Sequence, residues 1–138
     1  MSIQDAAQDI SDEFAFLDDW EDRYAHIIDL GKANPPLMAQ QRTEQTRVRG
    51  CASQVWLVTH IQDDGGLAIE AESDAMIVSG LIAVLRRLFS GAQPADILAF
   101  NAQAFLDDIG VAGALTAQRS NGLSSMLDRI RKDADAAL

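Results

Sequence analysis

The sequence predicts an α+β domain: a small antiparallel sheet of about three strands, flanked by N- and C-terminal helices. Three observations predict it. Apolar residues recur at helical spacing over residues 3–31 and again beyond residue 76. Between residues 54 and 72 the period shortens to alternation, the mark of strands with one buried face. Asp63-Asp64-Gly65-Gly66 separates the two alternating runs as a hairpin turn would. Strands gathered mid-chain with helices on both sides fit α+β and not the strand–helix alternation of a parallel sheet. The 138 residues suit one domain, 1–138.

Ile3, Ala6, Ala7, Ile10, Phe14 and Leu17 define a first helix. Asp18 with Glu21 has the form of a capping box for a second, which buries Trp20, Tyr24, Ile27 and Ile28 and stops at Gly31. Pro35-Pro36 forces an extended connector. Thr43–Val48 reads as one strand. Gln54–Ile61 follows as another, with Val55, Leu57 and Ile61 on one side and Trp56, Val58 and His60 on the other. In the next strand Leu67, Ile69 and Ala71 alternate with Glu70 and Glu72. Ser73 or Asp74 caps a helix with a wide apolar stripe from Met76 to Leu88, ending near Gly91. Pro94 opens a short helix, and Phe100 to Ile109 forms further short helical turns broken at Asn101 and Gly110. Leu123, Met126, Leu127 and Ile130 mark a last helix, with Arg129, Arg131 and Lys132 near the negative end of its dipole.

Twenty-one acids against 11 bases give a net charge of −10, which opposes a nucleic-acid role. The charge is uneven: residues 1–30 carry −8, whereas residues 31–60 carry +3. No run approaches the ~20 apolar residues of a membrane span, and the first residues show no secretory leader pattern. A cytoplasmic setting is expected. The single cysteine, Cys51, excludes an internal disulfide and any cysteine-built metal cage within one chain.

Cys51 lies in the most basic stretch, in Arg47-Val48-Arg49-Gly50-Cys51-Ala52-Ser53-Gln54, just before a strand. Two readings stand. A lone cysteine is a small hydrophobe that packs in a core. Alternatively, nearby Arg47 and Arg49 stabilise a thiolate, and Gly50 permits a backbone that tucks or exposes the sulfur. A hydrolase would need a base beside the thiol. His60 is the available histidine on the strand, but nine extended residues span about 30 Å at ~3.3 Å each. His26, off its helix's apolar stripe, reads as surface. The two lysines, Lys32 and Lys132, also read as surface, which argues against a pyridoxal-phosphate site in this chain.

Five segments occur in order: Phe14-Ala15-Phe16-Leu17-Asp18-Asp19-Trp20-Glu21-Asp22-Arg23-Tyr24; Val48-Arg49-Gly50-Cys51-Ala52-Ser53-Gln54-Val55-Trp56-Leu57; Ser73-Asp74-Ala75; Gly80-Leu81; and Arg119-Ser120-Asn121-Gly122-Leu123 with Met126. This series resembles the SufE family of sulfur-acceptor proteins over nearly the whole chain. The resemblance implies a fold similar to iron–sulfur scaffold proteins. It also implies a pyridoxal-phosphate cysteine desulfurase, of the SufS or CsdA type, as partner. The acceptor's cysteine takes the partner's persulfide sulfur, stimulates its turnover and passes the sulfur to an iron–sulfur scaffold complex. The family cysteine aligns with Cys51. Gly50, Ser53, Trp56, Asp74, Arg119 and Gly122 match other motif positions, and Arg49, Gly50, Ser53, Asp74 and Arg119 are the supporting or partner-binding candidates. The acidic N-terminus and Ala52 depart from the family pattern and bear on which desulfurase is the partner.

The chemistry suits the residues. A thiolate attacks a persulfide as it attacks a disulfide. One thiol suffices, and the step needs no metal or bound cofactor in this chain. A second nearby thiol would reduce the persulfide and release sulfide. A cluster scaffold needs several protein ligands, so one cysteine favours sulfur transfer over cluster assembly. Because an exposed persulfide is lost to small thiols or oxidised, Cys51 is expected to rest tucked under apolar side chains and to swing out on docking. A weak homodimer is compatible with this reading. The alternative is a non-catalytic interaction domain with a structural cysteine.

Overall fold

The computed structural model describes residues 2–51, 53–111, 115 and 117–138, with the side chains of 117–119 left aside. The elements run α1 (Ile3–Ala15), α2 (Trp20–Gly31), a 3-10 turn (Ala39–Gln41), β1 (Val55–Ile61), β2 (Leu67–Ser73), α3 (Met76–Phe89), α4 (Pro94–Ala99), α5 (Ala102–Asp108) and α6 (Ala117–Ala136). The class is α+β, as the periodicity predicts.

At the centre is α3. Ile77, Val78, Leu81, Ile82, Val84, Leu85, Leu88 and Phe89 are all buried, so this helix is enclosed on most of its circumference. It packs on α2, α1 and β2, while α6 reaches β1 and α4. The α2–α3 crossing is built on glycine. A methyl on Gly31 would stand 2.5 Å from the Gly80 nitrogen, and one on Gly80 would strike the Ile27 carbonyl. An ion pair joins α3 to α1: Arg87 donates to Glu13 at 3.0 Å, and His26 of α2 lies 3.1 Å from the same carboxylate. His26 also sets its ring edge-on to Phe14. It is half-buried and partnered, not a plain surface residue.

β1 and β2 form a two-stranded antiparallel sheet, with Val55 opposite Ser73 and Ile61 opposite Leu67. The expected third strand over Thr43–Val48 is reduced to a single bridge, Arg47 to Trp56. Its chain turns over Thr43–Thr46, where the threonine hydroxyls take local hydrogen bonds, so only the end of the run reaches the sheet. Even so, the segment covers the first half of the free edge of β1, because Val48 donates to the Val55 carbonyl and Leu57 to Thr46, both at 2.8 Å. The free edge of β2 is covered by residues 90–92: Leu67 donates to Ala92 and Gly91 to Leu67, each at 2.8 Å. Part of each edge is thereby paired and withdrawn as a template.

Other boundaries moved for local reasons. Asp19, not Asp18, caps α2, accepting from the Asp22 nitrogen at 2.8 Å. Trp20, expected inside, is 57% exposed on the first turn of α2. Ile61 and Met76 are also exposed, each at an element end where the core falls away. α3 has no side-chain cap: Ser73 closes a turn onto Ala75, and Asp74 is used elsewhere.

Candidate functional site

Cys51 follows Gly50, whose φ of +86° lies in the left-handed region that glycine adopts without penalty. A methyl there would also stand 2.5 Å from the Ser125 hydroxyl of α6. Gly50 therefore lets the chain turn tightly against that helix. The turn brings the half-buried Cys51 against α6, its Sγ 3.6 Å from the Gly122 carbonyl, to which the thiol donates. Gly122 is buried. A methyl on it would stand 3.5 Å from Sγ, so the absent side chain leaves the sulfur's berth open on that side. The Cys51 side chain packs against the main apolar cluster.

The electrostatics oppose a resting thiolate. Burial pushes the Cys51 thiol up, because desolvation disfavours the anion. Arg49 does not offset this in the present conformation: its exposed guanidinium pairs with Glu44 at 2.7 Å. The expectation that neighbouring cations hold the anion is therefore not met with the cysteine tucked in.

Asp74 accepts from the Gln54 nitrogen at 3.1 Å and returns a backbone bond to the Gln54 carbonyl at 3.3 Å. This explains the twenty-residue spacing between the two motifs. The register that sets Val55 opposite Ser73 delivers Asp74 to the residue just outside β1, where it fixes the downstream end of the cysteine segment. Ser53 is half-buried in the bend between Cys51 and β1, and Trp56 is half-buried opposite Glu72. Arg119 belongs to the first turn of α6, but its side chain lies outside the described residues, as does Ala52. His60 sits at the far end of β1, beside the hairpin turn, so the extended strand separates it from the thiol.

Three residues of the site escape a sequence reading. Ser125 faces Gly50. Arg129 donates to the Gln45 carbonyl at 2.7 Å and to the Arg47 carbonyl at 3.5 Å. Asp133 holds Arg129 at 3.4 Å and accepts from Thr59 at 3.0 Å. Helical spacing from Gly122 was the available signal, since 122, 125 and 129 share one face. Among the described residues no group of three or more His, Cys, Asp or Glu side chains is placed to hold a metal ion, and no helix is long and apolar enough to cross a membrane.

Comparison with known proteins bears on the family and the fold. Residues 8–134 match the family model SufE, the Fe-S metabolism associated domain. An uncharacterized SufE-like protein of Rhizobium etli is 49% identical over 128 residues, which cover 91% of this chain and 86% of that one. One from Rhizobium meliloti is 47% identical over 132 residues, covering 94% of each. The solution structure of a hypothetical protein from Thermus thermophilus shares the fold, with a TM-score of 0.79 at 20% identity over 96% of this chain and 95% of that one. On the family match over residues 8–134 and the identity to these relatives, the chain belongs to the SufE family, the domain associated with Fe-S metabolism.

Proposed function

We propose that the protein is a sulfur acceptor for a pyridoxal-phosphate cysteine desulfurase, with Cys51 as the catalytic thiol. The observation that carries this reading is the seat of Cys51. It is the one thiol in the sequence, and it rests half-buried at a glycine turn, directly after a strap held by side chains and backbone. Such a thiol is shielded at rest and needs only a local movement to reach a partner.

The transfer balances without another reactant. Cys51 first gives up its proton, and its thiolate attacks the outer sulfur of the partner's persulfide. The partner's S–S bond breaks as a new one forms on Cys51. The partner's thiolate leaves and takes up a proton. Burial opposes the first of these events in the free protein. Outward movement restores hydration and lowers the thiol's pKa toward its ordinary value. Deprotonation is thereby coupled to docking. The sulfur then passes to an iron–sulfur scaffold complex, and a SufS-type or CsdA-type desulfurase fits the donor role equally.

The test is intact mass after incubation with desulfurase and cysteine. The expected result is a gain of one sulfur atom mapped to Cys51. Cys51→Ala should still bind the desulfurase but neither gain sulfur nor raise its sulfide output. Normal stimulation by Cys51→Ala would overturn the proposal and leave the alternative favoured by the cysteine's partial burial, a non-catalytic interaction domain in which Cys51 is packing.

A further inference from the structure

The strap that ends in Cys51 is held from one side by a single planar group. The Arg129 guanidinium reaches from α6 to two strap carbonyls, those of Gln45 and Arg47, and its Nε faces Asp133. Asp133 spends its other oxygen on the Thr59 hydroxyl of β1. Arg129 and Asp133 are only 26% and 23% exposed, so these contacts are partly withdrawn from water. One face of α6 thus carries the Gly122 carbonyl for Sγ, Ser125 against Gly50 and Arg129 for the strap.

We propose that Arg129 is a positioning residue that clasps the 45–51 strap to α6 and thereby sets how often Cys51 is exposed. Two carbonyls two residues apart call for a rigid fork of donors, which a guanidinium supplies and an ammonium does not. Asp133 and Thr59 keep that fork turned toward the strap. The strap's remaining ties near its end are the Val48–Val55 and Leu57–Thr46 backbone bonds to β1, and beyond Val48 it is held chiefly by Cys51 itself. Releasing Arg129 therefore loosens the segment that carries the thiol and leaves the α3 core intact. The meaning of this clasp for sulfur transfer rests on the acceptor reading above, although its effect on exposure does not.

The experiment compares the iodoacetamide alkylation rate of Cys51 in the full-length protein at one pH for wild type, Arg129→Lys, Arg129→Gln and Arg131→Gln. Arg131 is the control, because it sits on the same helix and donates to a different carbonyl, that of Leu98. Loss of charge-assisted hydrogen bonds predicts about tenfold faster alkylation in Arg129→Gln, a smaller gain in Arg129→Lys and no change in Arg131→Gln. Amide exchange at Val48 and Leu57 should accelerate in Arg129→Lys while that of α3 does not. If Arg129→Gln fails to fold, Arg129→Lys carries the test. Wild-type rates in the Arg129 variants, or equal acceleration in Arg131→Gln, would overturn the clasp. Sulfur gain on Cys51 from the desulfurase is a separate readout, so its failure would overturn the acceptor reading and leave the clasp standing.

Discussion

For Cys51, burial joins two properties that a free thiol keeps apart, exposure and ionisation. Its folded thiol is held above the ordinary value by desolvation. Between the unfolded thiol's value, about 8.5, and the raised folded one, the unfolded chain has released its proton and the folded chain has kept it. The resulting stability is fully present below the unfolded value and is lost as pH rises through the folded one. Denaturation of wild type and Cys51→Ser should therefore differ by a constant amount up to about pH 8, with wild type losing ground above that; a difference that stays flat through alkaline pH would contradict the burial described here. Gly122 makes a complementary prediction. Alanine in place of a mid-helix glycine gains about 0.5–1 kcal/mol, and its methyl would meet Sγ at an ordinary 3.5 Å. Gly122→Ala should raise the thermal midpoint yet slow alkylation of Cys51; an unchanged alkylation rate would mean that glycine there does not serve access to the sulfur.

Among the helices, the α2–α3 crossing is the least forgiving contact. Gly80 sits against the Ile27 carbonyl and Gly31 against the Gly80 backbone, with no flexible side chain to yield. Gly80→Ala should cost about 2–3 kcal/mol, the upper range for overpacking, despite alanine's better helix propensity; chemical denaturation checks it, and a neutral result would mean that the helices separate easily. The apolar stripe of α3, the hairpin and Pro94 at the start of α4 were legible from the sequence because each follows from a local rule: period, turn type or a missing N–H. Trp20 was not, since helical spacing shows that a residue lies on a stripe but not where the neighbouring layer ends. The strand over Thr43–Val48 failed for a related reason. Its side chains allow a strand, but the threonine hydroxyls close a turn that only tertiary contacts reveal. Cys51 could be singled out in sequence by its uniqueness and its basic surroundings, and the chemistry proposed for it is what the SufE resemblance implies. Arg129 read as a dipole cation, because its target is a pair of backbone carbonyls more than eighty residues away and backbone carbonyls leave no mark in sequence.

Taken whole, the molecule carries its surplus of ten negative charges mostly in its first 30 residues. Self-repulsion of that kind weakens as the Debye length shrinks. Raising ionic strength from about 0.01 M to about 0.15 M should increase the thermal midpoint, and a fall would show that the ion pairs such as Arg87–Glu13 outweigh the repulsion. The strap over residues 45–48 gives the chain a second vulnerability, because the same backbone that leads to Cys51 also screens the outer margin of β1. An opening that frees the whole strap, and not Cys51 alone, would bare the Val55 carbonyl and the Leu57 amide of that margin. Bared strand groups are a template for an extended peptide, so a wide opening of this kind would carry a pairing hazard that a movement of Cys51 alone avoids.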